Sequence, residues 1–185
     1  MIKNFDLKDE GGTSYMKNNK IMIIGCGGSG KSTLAKRLGE KLDLPVIHLD
    51  QLFWKSGWVH VSDEEFDSLL HSELLKVSWI IDGNFNRTIK DRLECCDMII
   101  YLDYSRFTCL FGAIKRILIN YGKTRPDMGV NCPERFDVEF LKWIWNFNKD
   151  NRQKYYKILS KVSGKYVVIL HNRKQCRDLF DRLVK

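Results

Sequence analysis

No run of apolar residues in this chain approaches the ~18 that a membrane-spanning helix requires, so no membrane partner is expected. No CxxC pair organises the six cysteines, and no secretory leader stands beside them. Cys26, Cys95, Cys96, Cys109, Cys132 and Cys176 therefore read as reduced cytoplasmic thiols, with Cys95 and Cys96 packing a helix end. Solitary Cys132 lacks the partners of a structural zinc. Internal repeats, low-complexity linkers and an NKxD base-reading motif are also missing. So are a helix-turn-helix, a zinc finger and a basic arm, which leaves no specific sequence support for DNA recognition.

What is present fits one ordinary domain: 185 residues, 44% hydrophobic, are enough to bury a core. The net charge of +8 suits anionic partners without choosing among nucleotides, nucleic acid or a lipid surface; a monomer is favoured. Residues 1–19 lack apolar periodicity and read as a leader outside the fold, either a mobile tail or not native. In a bacterial source, Glu10-Gly11-Gly12 is encodable as a ribosome-binding sequence ahead of Met16, which makes Met16 the expected start.

Lys20 to Ile24 is a short apolar run ending in glycines, as a buried parallel strand does, and Leu34, Leu38 and Leu42 share a helical face. Pro45 stops that helix, and "VIHLD" gives a second strand. Ser62 to Glu65 forms a capping box ahead of Phe66, Leu69, Leu70 and Leu74. "SWIID" and "DMIIYLD" are further strands, separated by a helical stretch from Arg87 to Cys95. Phe107, Leu110, Phe111, Ile114, Ile117 and Leu118 recur at helical spacing. Helix resumes near Asp137, with a bend expected at Asn148 to Asn151, and "KYVVIL" is a fifth strand before a last helix burying Cys176, Leu179, Phe180 and Leu183. Alternating strands and helices predict an α/β fold: a five-stranded parallel sheet with helices on both faces. Residues 121–135, with two glycines and two prolines, predict a small lid within a single 20–185 domain.

Gly25-Cys26-Gly27-Gly28-Ser29-Gly30-Lys31-Ser32 fits GxxxxGK[ST], after a strand and before a helix. Glycines let backbone N–H groups turn inward around a phosphate. The helix N-terminus adds its positive end, Lys31 reaches the outer phosphates and Ser32 is placed for magnesium. Cys26 inside the loop is either a thiol whose modification blocks nucleotide or a small residue that fits. Asp82, ending a buried strand before Gly83, occupies the Walker-B position for the same ion. Asp103 is a weaker claimant, expected to cap the following helix.

Asp50 follows the second strand near the mouth of the phosphate loop, where such sheets hold ligands. A hydroxyl acceptor benefits from a base, whereas a monophosphate already offers an ionised oxygen, so Asp50 hints at a hydroxyl. Phe53, Trp54 and Trp58 are placed either to stack on a base or cover a sugar, or to serve as core. His48 reads as a packed strand residue. Arg87 and Arg92 follow Asp82, while Arg116, Arg125, Arg135 and Arg152 flank or sit within the lid, as residues that enclose phosphates do. Lys31, Asp50, Arg116 and Arg125 are the expected catalytic set.

With these residues assembled, the chain resembles the adenylate-kinase-related P-loop kinases, and most closely the bacterial DNA topology modulation, or FlaR-like, proteins. The resemblance spans about Lys20 to the C-terminus and rests on "IMIIGCGGSGKSTLA", "PVIHLDQLFWKSGW", "WIIDGNFNRT", "GKTRPDMG" and "FLKWIWNF". It implies ATP and Mg2+, with Gly25 and Gly27 to Thr33 holding phosphates and an acceptor site between the second and third strands. Asp82-Gly83 matches the start of the adenylate kinase DGFPR motif, and Arg87 resembles its arginine one residue further along. Arg116 and Arg125 resemble lid-base and lid arginines, Arg152 the arginine of the helix after the lid, and His171-Asn172-Arg173 the turn that packs adenine. Between Asp50 and Ser62 there is Lys55 but no arginine, where adenylate kinases hold the acceptor phosphate; here the chain resembles uridine kinases. A small-molecule kinase is the leading expectation. The rival is an ATP-binding regulatory protein acting on DNA topology through a basic surface.

Overall fold

The structure, a computed structural model, describes residues 19–183. Except for Asn19, the expected leader and the Met16 start lie outside the described residues. Asn19 itself belongs to the fold: its carbonyl accepts from the Trp79 N–H at 2.7 Å, and its N–H donates to Asp97 Oδ2 at 3.2 Å.

Five short strands form the parallel sheet: β1 (Lys20–Gly25), β2 (Val46–His48), β5 (Trp79–Asp82), β6 (Met98–Leu102) and β7 (Tyr166–Leu170), in the order β2-β5-β1-β6-β7. β5 and β6 are buried at every position, as expected of parallel strands covered on both faces. A two-stranded antiparallel hairpin, β3 (Trp54–Lys55) and β4 (Val59–His60), lies outside the sheet. Five longer helices connect these strands, α1 (Lys31–Leu42), α3 (Asp63–Leu74), α4 (Ile89–Cys95), α5 (Arg106–Asn120) and α6 (Val138–Leu159), and α7 (Arg173–Leu183) follows β7. A single-turn helix α2 (Leu49–Phe53) follows β2 directly. Right-handed crossovers put α1 on one face and α3, α4, α5 and α6 on the other. α7 joins α1, where the Arg37 guanidinium lies 4.0 Å from the Phe180 ring.

The sheet order fixes the position of the site. β1 is central, and the chain leaves it toward β2 on one side before returning to β6 on the other, so the carboxyl end of β1 is a topological switch point. The helix starts are set locally. Ser62 Oγ accepts from the Glu65 N–H at 3.1 Å and Ser105 Oγ from Thr108 at 3.3 Å, each cap worth about 1 kcal/mol. Ser105, not Asp103, therefore starts α5.

α6 is continuous helix through Asn148 to Asn151, where Asn151 Nδ2 donates back to the Phe147 carbonyl at 3.3 Å. Three other expectations are corrected. Leu69 stays on the exposed side of α3 while Phe66, Leu70 and Leu74 are buried. α5 buries Cys109, Ala113 and Ile117, and turns Phe107, Phe111, Ile114 and Leu118 outward. Its small residues face the core because the phosphate loop approaches that side too closely for large ones. The segment between α5 and α6 is also more ordered than its composition predicts. Its two ends pair through bridges Tyr121–Glu134 and Thr124–Pro133, and Lys123 O accepts from Glu134 N at 2.9 Å.

Candidate active site

The phosphate loop leaves β1 at Gly25 and enters α1 at Lys31. Gly28 (φ 75°) and Gly30 (φ 97°) adopt left-handed conformations that side chains disfavour. Sterics constrain Gly28 as well: a Cβ there would lie 2.2 Å from the Cys109 carbonyl oxygen and 2.6 Å from the Ala113 nitrogen, so α5 is in backbone contact with the loop. Asn84 Oδ1 accepts from the Gly25 N–H at 3.1 Å, tying the loop's first turn to the end of β5. Lys31 Nζ donates to the Cys26 carbonyl at 3.0 Å. The Ser29 hydroxyl is buried without a hydrogen-bond partner among the described residues. A buried orphan donor among left-handed glycines fits a polyphosphate oxygen.

Cys26 is buried, with its sulfur 3.8 Å from the Ile144 carbonyl. A hydrogen bond with Cys109, and then burial, push its thiol up in pKa, which disfavours the thiolate.

At the carboxyl end of β5, Asp82 accepts from Ser32 Oγ at 2.8 Å through Oδ2 and pairs with His48 Nδ1 through Oδ1. The β2–β5 register sets His48 beside Asp82. His48 is therefore part of the site, contrary to its expected role as strand packing. Burial draws its pKa down, but the Asp82 hydrogen bond and charge, with Asp127 and Asp50, outweigh that and leave it raised. Asp127, which no sequence signal singled out, lines the same cavity as Ser32 and His48. Its carboxyl is opposed by burial yet held low by Arg125 first and Ser32 next. Ser32 and Asp82, 2.8 Å apart, supply hard oxygens of the kind that suits Mg2+.

Asp50, on α2, opens into the same cavity of about 860 Å3 as Lys31, Ser32 and His48. Burial raises its pKa to about 6; Lys31 and Arg125 pull it down, and Asp82 and Asp127 push it up. Arg116, Arg125 and Arg173 line the cavity too. Arg125 pairs with Asp127 at 2.5 Å and with Glu134 at 2.7 Å, while Arg116 pairs with Glu134 at 3.0 Å.

Several expected ligands are engaged elsewhere. Arg92 is fully buried and donates to the Gly83 (2.8 Å), Asn84, Phe85 (2.9 Å) and Thr88 (3.3 Å) carbonyls, so it holds the wall of the cavity and cannot reach a substrate. Burial lowers its pKa to about 10, still far above neutrality. Arg87 turns onto α3, pairing with Asp67 at 2.6 Å and Asp63 at 3.3 Å, and is outside the cavity lining. Arg152 also lies outside it, 2.8 Å from Asp103. Asp103 is a buried acceptor for Arg152 and Tyr156, with His171 at 3.4 Å.

The three aromatics are structural. Phe53 packs among Trp54, His60, Phe66 and Phe85, and Trp54 sits edge-on to Trp58. Trp58 Nε1 donates to the Pro133 carbonyl at 3.2 Å with the Arg135 guanidinium 5.1 Å from its ring. Gly57 N donates to Asn131 O at 3.1 Å, Cys132 Sγ to Lys55 O at 3.2 Å, and Gln51 Nε2 to the Pro126 carbonyl. These bonds strap the 121–135 segment onto α2 and the β3–β4 hairpin. They come from residues far apart in sequence, which is why composition did not reveal them.

No protein-family model matches the sequence, and no curated protein matches it either. Solved structures do match. A shikimate kinase from Acinetobacter baumannii in complex with shikimate superposes with a TM-score of 0.61 at 15% identity, over 92% of this chain and 93% of that one. A shikimate kinase from Bacteroides thetaiotaomicron gives 0.50 at 19% identity, over 88% and 94%. At these identities the likeness is one of fold, and the fold it shows is the five-stranded parallel sheet of the P-loop kinases.

Proposed function

We propose that the chain is an ATP- and Mg2+-dependent phosphotransferase that delivers a phosphoryl group to a hydroxyl of a small acceptor. The observation that carries this reading is the opening of one cavity onto the phosphate loop, Ser32 of the Ser32–Asp82 pair and the half-buried carboxylate of Asp50. The resemblance to small kinases, including the FlaR-like group, points the same way. Gly27 to Thr33 would hold the phosphates, and Ser32 and Asp82, with Asp127, would hold Mg2+. Bound there, the ion supplies charge neutralisation on the phosphate oxygens. Asp50 takes the acceptor's hydroxyl proton as its oxygen attacks the γ-phosphorus and the bond to the departing ADP breaks. Lys31 neutralises the transferring group. Arg116 and Arg125 would work from a lid over residues 121–135, and Arg173 from the adenine side. Nucleosides, nucleotides, shikimate (the ligand of the Acinetobacter structure) and other hydroxyl compounds set the range of acceptors to be screened.

An ADP-release screen over these classes tests the reading. Lys31→Ala is expected to abolish turnover. Asp50→Asn is expected to keep ATP binding and slow transfer at least a hundredfold, in the range of lost general-base catalysis. Transfer by Asp50→Asn at the wild-type rate rules out the role of Asp50.

A further inference from the structure

We infer that the acceptor is an uncharged or cationic hydroxyl compound, such as a polyol, a nucleoside or an amino alcohol, and that carboxylates and phosphomonoesters are excluded. This rests on the phosphotransferase reading. The acceptor end of the cavity is bounded by Asp50 from α2, His48 from β2, the Gly83–Phe85 wall and Asp127, with Asp82 paired behind His48. Asp50 makes no ion pair among the described residues and faces the cavity as an uncancelled carboxylate, whereas the charge of Asp127 is matched by Arg125.

A second anion in this space needs a guanidinium fork or equivalent. Each arginine that the sequence brings near the acceptor end is already committed. Arg87 is paired with Asp63 and Asp67 outside the cavity, and Arg92 is buried under four backbone carbonyls. Arg125 and Arg116 form a closed group with Asp127 and Glu134, two positive charges against two negative. Lys31 belongs to the phosphate loop. The uncancelled positive charge lies elsewhere: Arg37, Lys115, Arg173 and Arg177 line the cavity along α1, α5 and α7, on the side of the triphosphate. The acceptor wall instead offers the Phe85 ring, stacked on Phe66 at 4.9 Å, and Phe85 suits the carbon face of a neutral ring.

Matched acceptor pairs test this on the full chain with MgATP: shikimate against its analogue with the carboxylate reduced to hydroxymethyl, and a nucleoside against its 5′-monophosphate. Release of ADP and the phosphorylated product are both measured. The expected result is a kcat/KM at least ten-fold higher for the neutral member of a pair. A preference for the anionic member overturns the inference while leaving the phosphotransferase reading intact. Failure to phosphorylate any member, with ATP shown to bind, overturns both. Within any pair that turns over, Asp127→Asn, which releases Arg125, is expected to move the preference about ten-fold toward the anion. Glu134→Gln should move it the same way if Asp127→Asn does not fold. An unmoved ratio in the folded variant removes the committed arginines as the cause and overturns the inference.

Discussion

Asp50 is a carboxyl group whose proton affinity follows from where it sits. Burial first, and then Asp82 and Asp127, raise its pKa to about 6 against the pull of Lys31 and Arg125. The general base must be ionised, so the transfer rate should fall about ten-fold per pH unit below about 6. The unliganded protein carries the matching stability signature. A carboxyl whose folded pKa is raised adds stability below its unfolded pKa and loses that contribution as pH rises through about 6. At neutral pH the ionised group therefore costs about 3 kcal/mol, and Asp50→Asn should raise the melting temperature while it lowers transfer, as a thermal-shift and rate comparison at pH 7.5 will show. Arg92 behaves in the opposite way. Arg92→Met leaves four buried carbonyls without their donor and should destabilise by about 3 kcal/mol or more, measured by urea unfolding. Asp50 was legible from the sequence because a strand end near the phosphate loop is a place with a known use. Arg92 was not: an arginine looks the same in sequence whether it faces a ligand or four main-chain oxygens.

At the level of elements, the segment between α5 and α6 is a strap as much as a cover. Its bonds to the β3–β4 hairpin run through Trp58, Gly57 and Cys132, and Gln51 adds one from α2. The Trp58 contribution, one neutral hydrogen bond and one exposed guanidinium–ring contact, is about 1–2 kcal/mol. Trp58→Ala should then raise local opening roughly ten-fold, seen as faster tryptic cleavage at exposed Lys123 with little change in global stability. Glycines and prolines marked this loop in the sequence, but its anchors were hidden. "WKSGWVH" has too few residues per strand for periodicity to register a hairpin. Arg87 misled for a related reason: its partners Asp63 and Asp67 lie one turn apart on α3, and a helix face becomes a partner only when the helix is placed.

For the whole molecule, the five strands and most of the helices were readable because parallel strands buried on both faces are unbroken apolar runs, and the glycine loop fixes where they lead. The ligand cavity draws on α1, α2, α5, α7, both loops and the ends of β2 and β5, so occupancy should stabilise the fold and not one corner of it. At a hundred-fold excess over its dissociation constant, MgATP should add about 2.7 kcal/mol to unfolding stability. Chelation with EDTA should remove the metal-dependent part, and Asp82→Asn should make the remaining shift indifferent to EDTA. The contact between Gly28 and the Cys109 and Ala113 backbone also governs how the molecule can move. α5 has no clearance to slide or roll at that end, so it acts as a fixed post, and any excursion of the strap must pivot at its two roots, Tyr121–Gly122 and Asp137, leaving the floor under the phosphates in place.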